Sequence, residues 1–378
     1  MTTLSSSNSR TEQRRGPRID FWLLLSSAFL VTIGLMSLYS EGVTRDNGAD
    51  FRKQMMFAII GIVPFGIFAI IHPKIWQRIA NVLYGINLVA LTAVLALGSR
   101  KKGAERWIEL GPIQFQPSEM AKLLTVLTLA AFYAARQETI QKTSTFLLSF
   151  LHILPPLVLI LLQPHLGAAM VIVVSWFAVS LVSGVPFRNL AIAFTVFFAL
   201  AAAVLTIPAV SAKVLHGYQQ ERLNEMGTKD SKGKNWQTER AKIAIGVGGF
   251  SGTGFLKGEQ KAAHFIPEQH DDFVITVIGE EGGLVGTTMV LCAFGFFFYR
   301  IWLVMLAAGD PFYKMIGGGI FAALFFHTFV NIAMVLQIVP VVGLWLPFLS
   351  YGGTALWLCM ACVGLMLNIR RRERPLLF

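Results

Sequence analysis

Ten apolar runs divide this chain, each close to the length that crosses a bilayer: Phe21–Ser40, Met55–Ile71, Trp76–Leu97, Ser118–Ala134, Phe146–Leu162, Gly167–Val182, Leu190–Pro208, Phe273–Tyr299, Met315–Leu336 and Ser350–Leu367. Crossing the hydrocarbon core takes roughly 20 apolar residues as a helix. In lipid only helices or closed barrels satisfy their backbone, and these runs are continuous rather than alternating, so they predict helices. Charged residues make up 14% of the chain, against about 25% in soluble domains. This excludes a soluble multidomain protein, a disordered chain and a disulfide scaffold. The expectation is a single all-α integral membrane domain spanning 1–378. It carries about ten helices, a cytoplasmic tail over 1–19 and another over 370–378, and one large extracytoplasmic loop over 209–272 before helix 8.

The net charge of +11 would raise nucleic-acid binding in a soluble protein. In a membrane protein it reads as the bias that collects Lys and Arg in cytoplasmic loops, and no nucleic-acid partner is expected. Arg10, Arg14, Arg15 and Arg18 precede the first span; Arg370, Arg371, Arg372 and Arg374 follow the last. Both termini are therefore expected in the cytoplasm. Arg100, Lys101, Lys102, Arg106 and Lys122 run against the rule on the outer side. They are either a water-solvated surface or a site for an anionic headgroup. The first span is too long for the apolar region of a cleaved signal peptide and is expected to stay as an anchor. Cys292, Cys359 and Cys362 lie in apolar stretches, with no disulfide or metal-ligand spacing.

Three constellations bear chemistry. Ser118-Glu119-Met-Ala-Lys122 opens the fourth span, with Ser118 as a possible N-cap and Glu119 and Lys122 on one helix face. This is either a capping pair or, because charge at a hydrocarbon edge is costly, a functional cavity. Glu268-Gln-His270-Asp271-Asp272 leads into the eighth span. These residues are either an aspartate cap for the helix or a carboxylate placed as a general base. Glu280 and Glu281 follow inside the apolar run and require a partner or a wet cavity. Leu346–Thr354, with Pro347, Gly352 and Gly353, is equally a re-entrant turn or a kinked helix start. The glycines from Gly246 to Gly258 lack the spacing of a nucleotide loop and read as tight turns near a membrane surface.

Together these segments resemble the shape, elongation, division and sporulation (SEDS) family, the RodA and FtsW proteins, with wording closer to RodA. The resemblance rests on Arg106-Trp-Ile-Glu-Leu-Gly-Pro-Ile-Gln-Phe-Gln-Pro-Ser-Glu-Met-Ala-Lys122, Gln163-Pro164, Ile243-Ala-Ile-Gly-Val-Gly-Gly249, Phe265–Phe273, Gly279-Glu-Glu-Gly282, His327 with Asn331, and Leu346–Thr354. It implies an inverting peptidoglycan glycosyltransferase of the bacterial inner membrane. Such an enzyme polymerises lipid II, a disaccharide-pentapeptide on undecaprenyl pyrophosphate, at the outer face for cell elongation and shape. It also implies Asp272 as the essential aspartate, with Lys122, Glu119 and Arg106 matching the family's charged positions. Lys53, His270, Glu268, Ser350, Gly352 and Gly353 complete the expected substrate-binding set. A class B penicillin-binding protein is the implied transpeptidase partner, beside membrane lipids. No organic cofactor is indicated; a divalent cation (Mg or Mn) would be compatible with the pyrophosphate.

The chain departs from the family pattern at His165, usually aspartate, at Lys53, usually arginine, at Arg240-Ala241, usually Gln-Ser, and at Trp345, a common proline. Two other classes use similar features: a lipid-precursor flippase, which has the basic cavity without chemistry, and a non-catalytic scaffold for a transpeptidase. Charges across the full membrane depth would favour the flippase; tolerance of losing Asp272 would favour the scaffold.

Overall fold

The computed structural model describes residues 19–45, 47–101, 104–110, 113–206, 234–263, 266 and 269–372. Glu268 and residues 207–233 of the expected loop lie outside them. Helices α1 (Phe21–Arg45), α2 (Ala49–Ile70), α3 (Pro73–Arg78) and α4 (Ala80–Leu97) lead to a small sheet. Then come α5 (Pro117–Ala134), α6 (Thr143–Leu162), α7 (Leu166–Ser183), α8 (Phe187–Thr206), α9 (Lys234–Gly248), α10 (Glu259–Ala262), α11 (Val274–Ala307), α12 (Pro311–Val335) and α13 (Gly353–Arg372).

Among the described residues, eight helices are long and apolar enough to cross a membrane: α1, α2, α4, α6, α7, α11, α12 and α13. The chain is a multi-pass membrane protein. The other two expected spans form α5 and α8, which fall outside that set; α5 carries Glu119 and Lys122 in its first two turns. Ile59, Ile62 and Val63 on α2 and Val82, Ile86 and Val89 on α4 stay exposed, as lipid-facing positions do. The interior is closed by α13 against α2 and α12 against α7. Small residues allow the close approaches: a Cβ at Gly364 would meet the Phe65 carbonyl oxygen at 2.3 Å.

The helical expectation misses one element. Strands β1 (Ser99–Lys101), β2 (Ala104–Leu110) and β3 (Ile113–Phe115) form an antiparallel meander in the order β1-β2-β3. The sequence between them holds Lys102-Gly103 and Gly111-Pro112, residues that favour turns.

The glycine-rich segment also differs from expectation. It forms the expected turns, but these pack into a broken helix. Gly283 adopts φ 61° and ψ −155° inside α11, which frees backbone groups on either side. The loop takes them up: Thr253 N donates to Glu280 O (2.9 Å), Gly254 N to Glu281 O (3.0 Å), and Leu284 N to Gly249 O (2.9 Å). A Cβ at Gly252 would lie 2.0 Å from the Glu281 carbonyl oxygen, so only glycine permits this seat. Glu280 and Glu281 find their partners here. Glu280 accepts from the amides of Gln260 (2.6 Å) and Lys261 (3.1 Å); Glu281 accepts from Ser40 Oγ (2.5 Å) and the Lys261 ammonium.

Candidate active site

The segment 337–352 between α12 and α13 is irregular yet largely buried, with Leu346, Phe348, Leu349 and Ser350 inside. Non-helical backbone at membrane depth survives only where protein satisfies it. Asn331 Nδ2 donates to the carbonyl of Leu344 (2.7 Å), and Ser350 Oγ accepts from Leu346 N (2.7 Å). Gln54 on α2 brackets the turn, donating to Ser350 O (3.3 Å) and accepting from Gly352 N (3.0 Å). A Cβ at Gly353 would stand 3.0 Å from the Phe57 ring. Between the two readings left open for Leu346–Thr354, the buried turn is the one observed. Ser350, Gly352 and Gly353 build it.

Asp272 borders this turn. Asn331 Nδ2 also donates to the Asp272 carbonyl, at 2.9 Å. The N-cap position of α11 is Phe273, so neither Asp271 nor Asp272 holds the cap that the sequence allowed. Next to it, His270 lies between charges: Nδ1 meets the Arg45 guanidinium and stands 3.8 Å from Glu41 Oε1, while Nε2 stands 3.4 Å from Asp271 Oδ1. Because Arg45 can only donate, Nδ1 is the acceptor and Nε2 carries the proton toward Asp271. Arg45 is paired with Glu41 at 2.9 Å, and Tyr351 N donates to His270 O (2.9 Å). Glu41 and Arg45 were missed from sequence. The available signal was a charged i,i+4 pair at the end of an apolar run.

The Glu119–Lys122 pair sits deeper. Both side chains are almost fully buried, and Lys122 Nζ lies 2.9 and 2.8 Å from the two Glu119 oxygens. The same ammonium contacts His327 Nε2 at 2.9 Å and lies 5.0 Å from the Trp345 ring centre. Trp345 Nε1 donates to Glu119 Oε2 (2.9 Å) and stacks on His327 with ring centres 4.0 Å apart. The expectation of Lys122 and Glu119 exposed in an outer substrate cavity is therefore corrected. A desolvated ammonium is tolerated only when paired, and here Glu119, His327 and Trp345 enclose it. The space beside it is lined by Leu123, Val126, Leu324 and Cys362 and measures about 10 Å³, room for about one water.

Arg106 and His165 join these clusters to the sheet. Arg106 donates from Nε to Gln163 O (3.1 Å) and from Nη2 to Pro164 O. His165 is buried, with Nδ1 3.2 Å from Ser118 Oγ and 3.4 Å from Gln116 Nε2. Ser118 thus faces His165, and the N-cap position of α5 is Gln116, which corrects the capping expectation. Burial, with Arg106 and Lys122 adding like charge, holds the His165 imidazole well below the ordinary histidine range. Lys53 is exposed on the first turn of α2 while its neighbour Gln54 turns inward. Among the described residues, no group of three or more His, Cys, Asp or Glu is arranged to hold a metal ion.

Residues 18–375 match the sequence profile of the FtsW/RodA/SpoVE family, described as cell cycle protein. The chain belongs to this family. A peptidoglycan glycosyltransferase, MrdB, of Escherichia coli strain K12 is 35% identical over 356 residues, covering 94% of both chains. A probable peptidoglycan glycosyltransferase, FtsW, of Trichlorobacter lovleyi is 32% identical and covers 93% of this chain and 92% of that protein. Among solved structures, a chain of a peptidoglycan synthase complex that couples polymerization and crosslinking superposes with a TM-score of 0.79. It is 31% identical and covers 93% of this chain and 98% of that one. Thermus thermophilus RodA, a rod shape determining protein, gives a TM-score of 0.69 at 28% identity, covering 94% of this chain and 97% of that one.

Proposed function

We propose that this chain is a peptidoglycan glycosyltransferase that polymerises lipid II at the outer face of the cytoplasmic membrane for cell elongation and shape. The observation that carries the activity is its end-to-end similarity to glycosyltransferases of the FtsW/RodA/SpoVE family. Asp272 is the general base. It removes the proton from the acceptor hydroxyl, whose oxygen attacks the anomeric carbon of the donor sugar. The bond to the undecaprenyl pyrophosphate breaks with inversion, and the pyrophosphate leaves with the electron pair. Such proton removal contributes roughly 10²–10⁴-fold.

Asn331, holding the Asp272 carbonyl, and the Arg45–His270–Asp271 chain beside it favour a base fixed in place. The remaining roles follow from position. Lys53 and Arg106 on the outer side offset charge developing on the leaving pyrophosphate. Glu119 and Lys122 act from the interior, orienting the Trp345 segment that borders the site. His270 and Glu268 bind the acceptor, and Ser350, Gly352 and Gly353 shape the turn against Asp272. Both termini lie in the cytoplasm, and a class B penicillin-binding protein is the partner that cross-links the product.

Purified chain in detergent, supplied with lipid II, should make glycan strands, and adding the partner transpeptidase should raise the yield. Absence of polymer under both conditions, with the protein folded, would remove the enzymatic reading and leave the scaffold.

A further inference from the structure

At the end of the bundle opposite Asp272, the N-cap of α3, the start of α12 and the end of α13 enclose an open cavity of about 510 Å³, lined by His72, Tyr313, Arg371 and Arg372. Four hydrogen-bond donors line it and, among the described residues, no carboxylate does. Asp310, at the N-cap of α12, is already paired with the Lys74 ammonium and accepts from Phe312 N (2.9 Å).

The cavity is built rather than merely basic. Asn368 on α13 is buried and donates to the carbonyls of Phe68 (2.8 Å) and Ile71 (2.6 Å), which α2 leaves unpaired at its end. The oxygen of the same amide accepts from Arg372 Nε at 2.8 Å. The guanidinium is thereby fixed relative to α2, with its two terminal nitrogens left to form a fork. His72 Nδ1 accepts from Lys74 N (3.1 Å), so its Nε2 carries the proton and adds a donor. Partial desolvation, then the Arg372 and Lys74 charges, lower the His72 pKa. Tyr313, a buried side chain, supplies a hydroxyl at the cavity wall. A planar fork, a hydroxyl and an imidazole N–H suit a phosphate oxygen set.

Ile67 and Ile70 on the last turn of α2 and Ile75 on α3 are exposed beside His72, with Ile70 at 74%. They form an apolar strip running from the cavity toward the spans, which a soluble phosphate compound would not use and an acyl chain would. We propose that this cavity binds the phosphate of an anionic phospholipid, with its acyl chains along α2. On the orientation proposed above, this is a lipid of the cytoplasmic leaflet. The site does not depend on the glycosyltransferase reading, since binding can be measured without lipid II. Basic pockets between membrane helices recognise anionic headgroups by the same electrostatics.

The test uses the full chain purified in neutral detergent, with phosphatidylglycerol, phosphatidylcholine and inorganic phosphate as probes. The readouts are lipids retained in native mass spectrometry and Tm. Wild type should retain phosphatidylglycerol over phosphatidylcholine and gain Tm with it, while millimolar phosphate should do little. Arg372→Gln should weaken retention about tenfold, the worth of one charge-assisted hydrogen bond, and Tyr313→Phe by less. Arg372→Lys, which keeps the charge but loses the fork and the bond to Asn368, should resemble Arg372→Gln more than wild type. If Arg372→Gln loses Tm in neutral detergent, retention by Tyr313→Phe and Arg371→Gln still reads the site. Equal retention by wild type and all variants would reduce the cavity to diffuse surface charge. Stabilisation by inorganic phosphate matching that by the lipid would make the ligand a soluble phosphate compound and overturn the lipid assignment.

Discussion

Asn331, in the last two turns of α12, holds the backbone of Asp272 across 59 residues of sequence through a 2.9 Å hydrogen bond to its carbonyl. The same amide nitrogen holds Leu344 at 2.7 Å. One side chain therefore fixes the loop that carries the proposed base and the buried turn that borders it.

Asp272→Asn should abolish measurable polymer from lipid II while Tm and lipid II binding change little, since asparagine keeps the size and loses the proton acceptor. The loss should reach about 10²-fold or more. Asp271→Asn should be much milder. Normal polymerisation by Asp272→Asn would place the base elsewhere; unfolding would make the residue structural.

Lys122→Met should destabilise the protein strongly, by about 3–5 kcal/mol, because Glu119 is left charged in the interior. Glu119→Gln should do the same for Lys122. The double variant Glu119→Gln/Lys122→Met should recover most of the lost Tm without recovering turnover. Additive losses in the double variant would show that the two side chains act separately, contrary to the 2.8 Å contact.

His165 stands where the family has aspartate. A carboxylate there would accept from Ser118 and Gln116 beside the Arg106 charge, so His165→Asp should retain or raise turnover. The histidine also sets a pH dependence. Its folded pKa lies below the ordinary 6.5, so its contribution is complete above that value and is lost as pH falls below it toward the folded pKa. Tm of wild type should drop more steeply than that of His165→Gln between pH 7 and 5, at up to about 1.4 kcal/mol per pH unit. Parallel curves would mean that His165 takes up its proton equally in the folded and unfolded states.

Gly252→Ala should cost far more stability than Gly246→Ala, measured as Tm in one detergent. At Gly252 a Cβ meets the Glu281 carbonyl oxygen at 2.0 Å and φ is +80°; at Gly246 nothing lies within 4 Å. In helix α9, Gly246→Ala should be neutral or stabilising by about 1 kcal/mol. Equal effects would mean that the loop does not seat in the helix break as observed.

The apolar runs were legible in the sequence because hydrophobicity and length are local properties, and burial in lipid needs nothing else to select a helix. The Glu119–Lys122 pairing was legible for the same reason, being set by helical spacing. The sheet was not, since its three short strands hide among charged residues read as a loop. Nor were the contacts that build the site. Arg45 meets His270 across 225 residues, Lys122 meets His327 across 205, and Arg106 reaches Gln163 across 57. Which helix faces come together decides such contacts, and packing rather than local sequence decides that. Tertiary structure also reversed the meaning of particular residues. Lys122 passed from an outer cavity to a sealed interior, and Trp345 from a missing proline to the donor that holds Glu119. Gly248 and Gly252 became the mould of a broken helix, because Gly283 opened a backbone gap in which a Cβ at either would meet the Gly279 or Glu281 carbonyl oxygen.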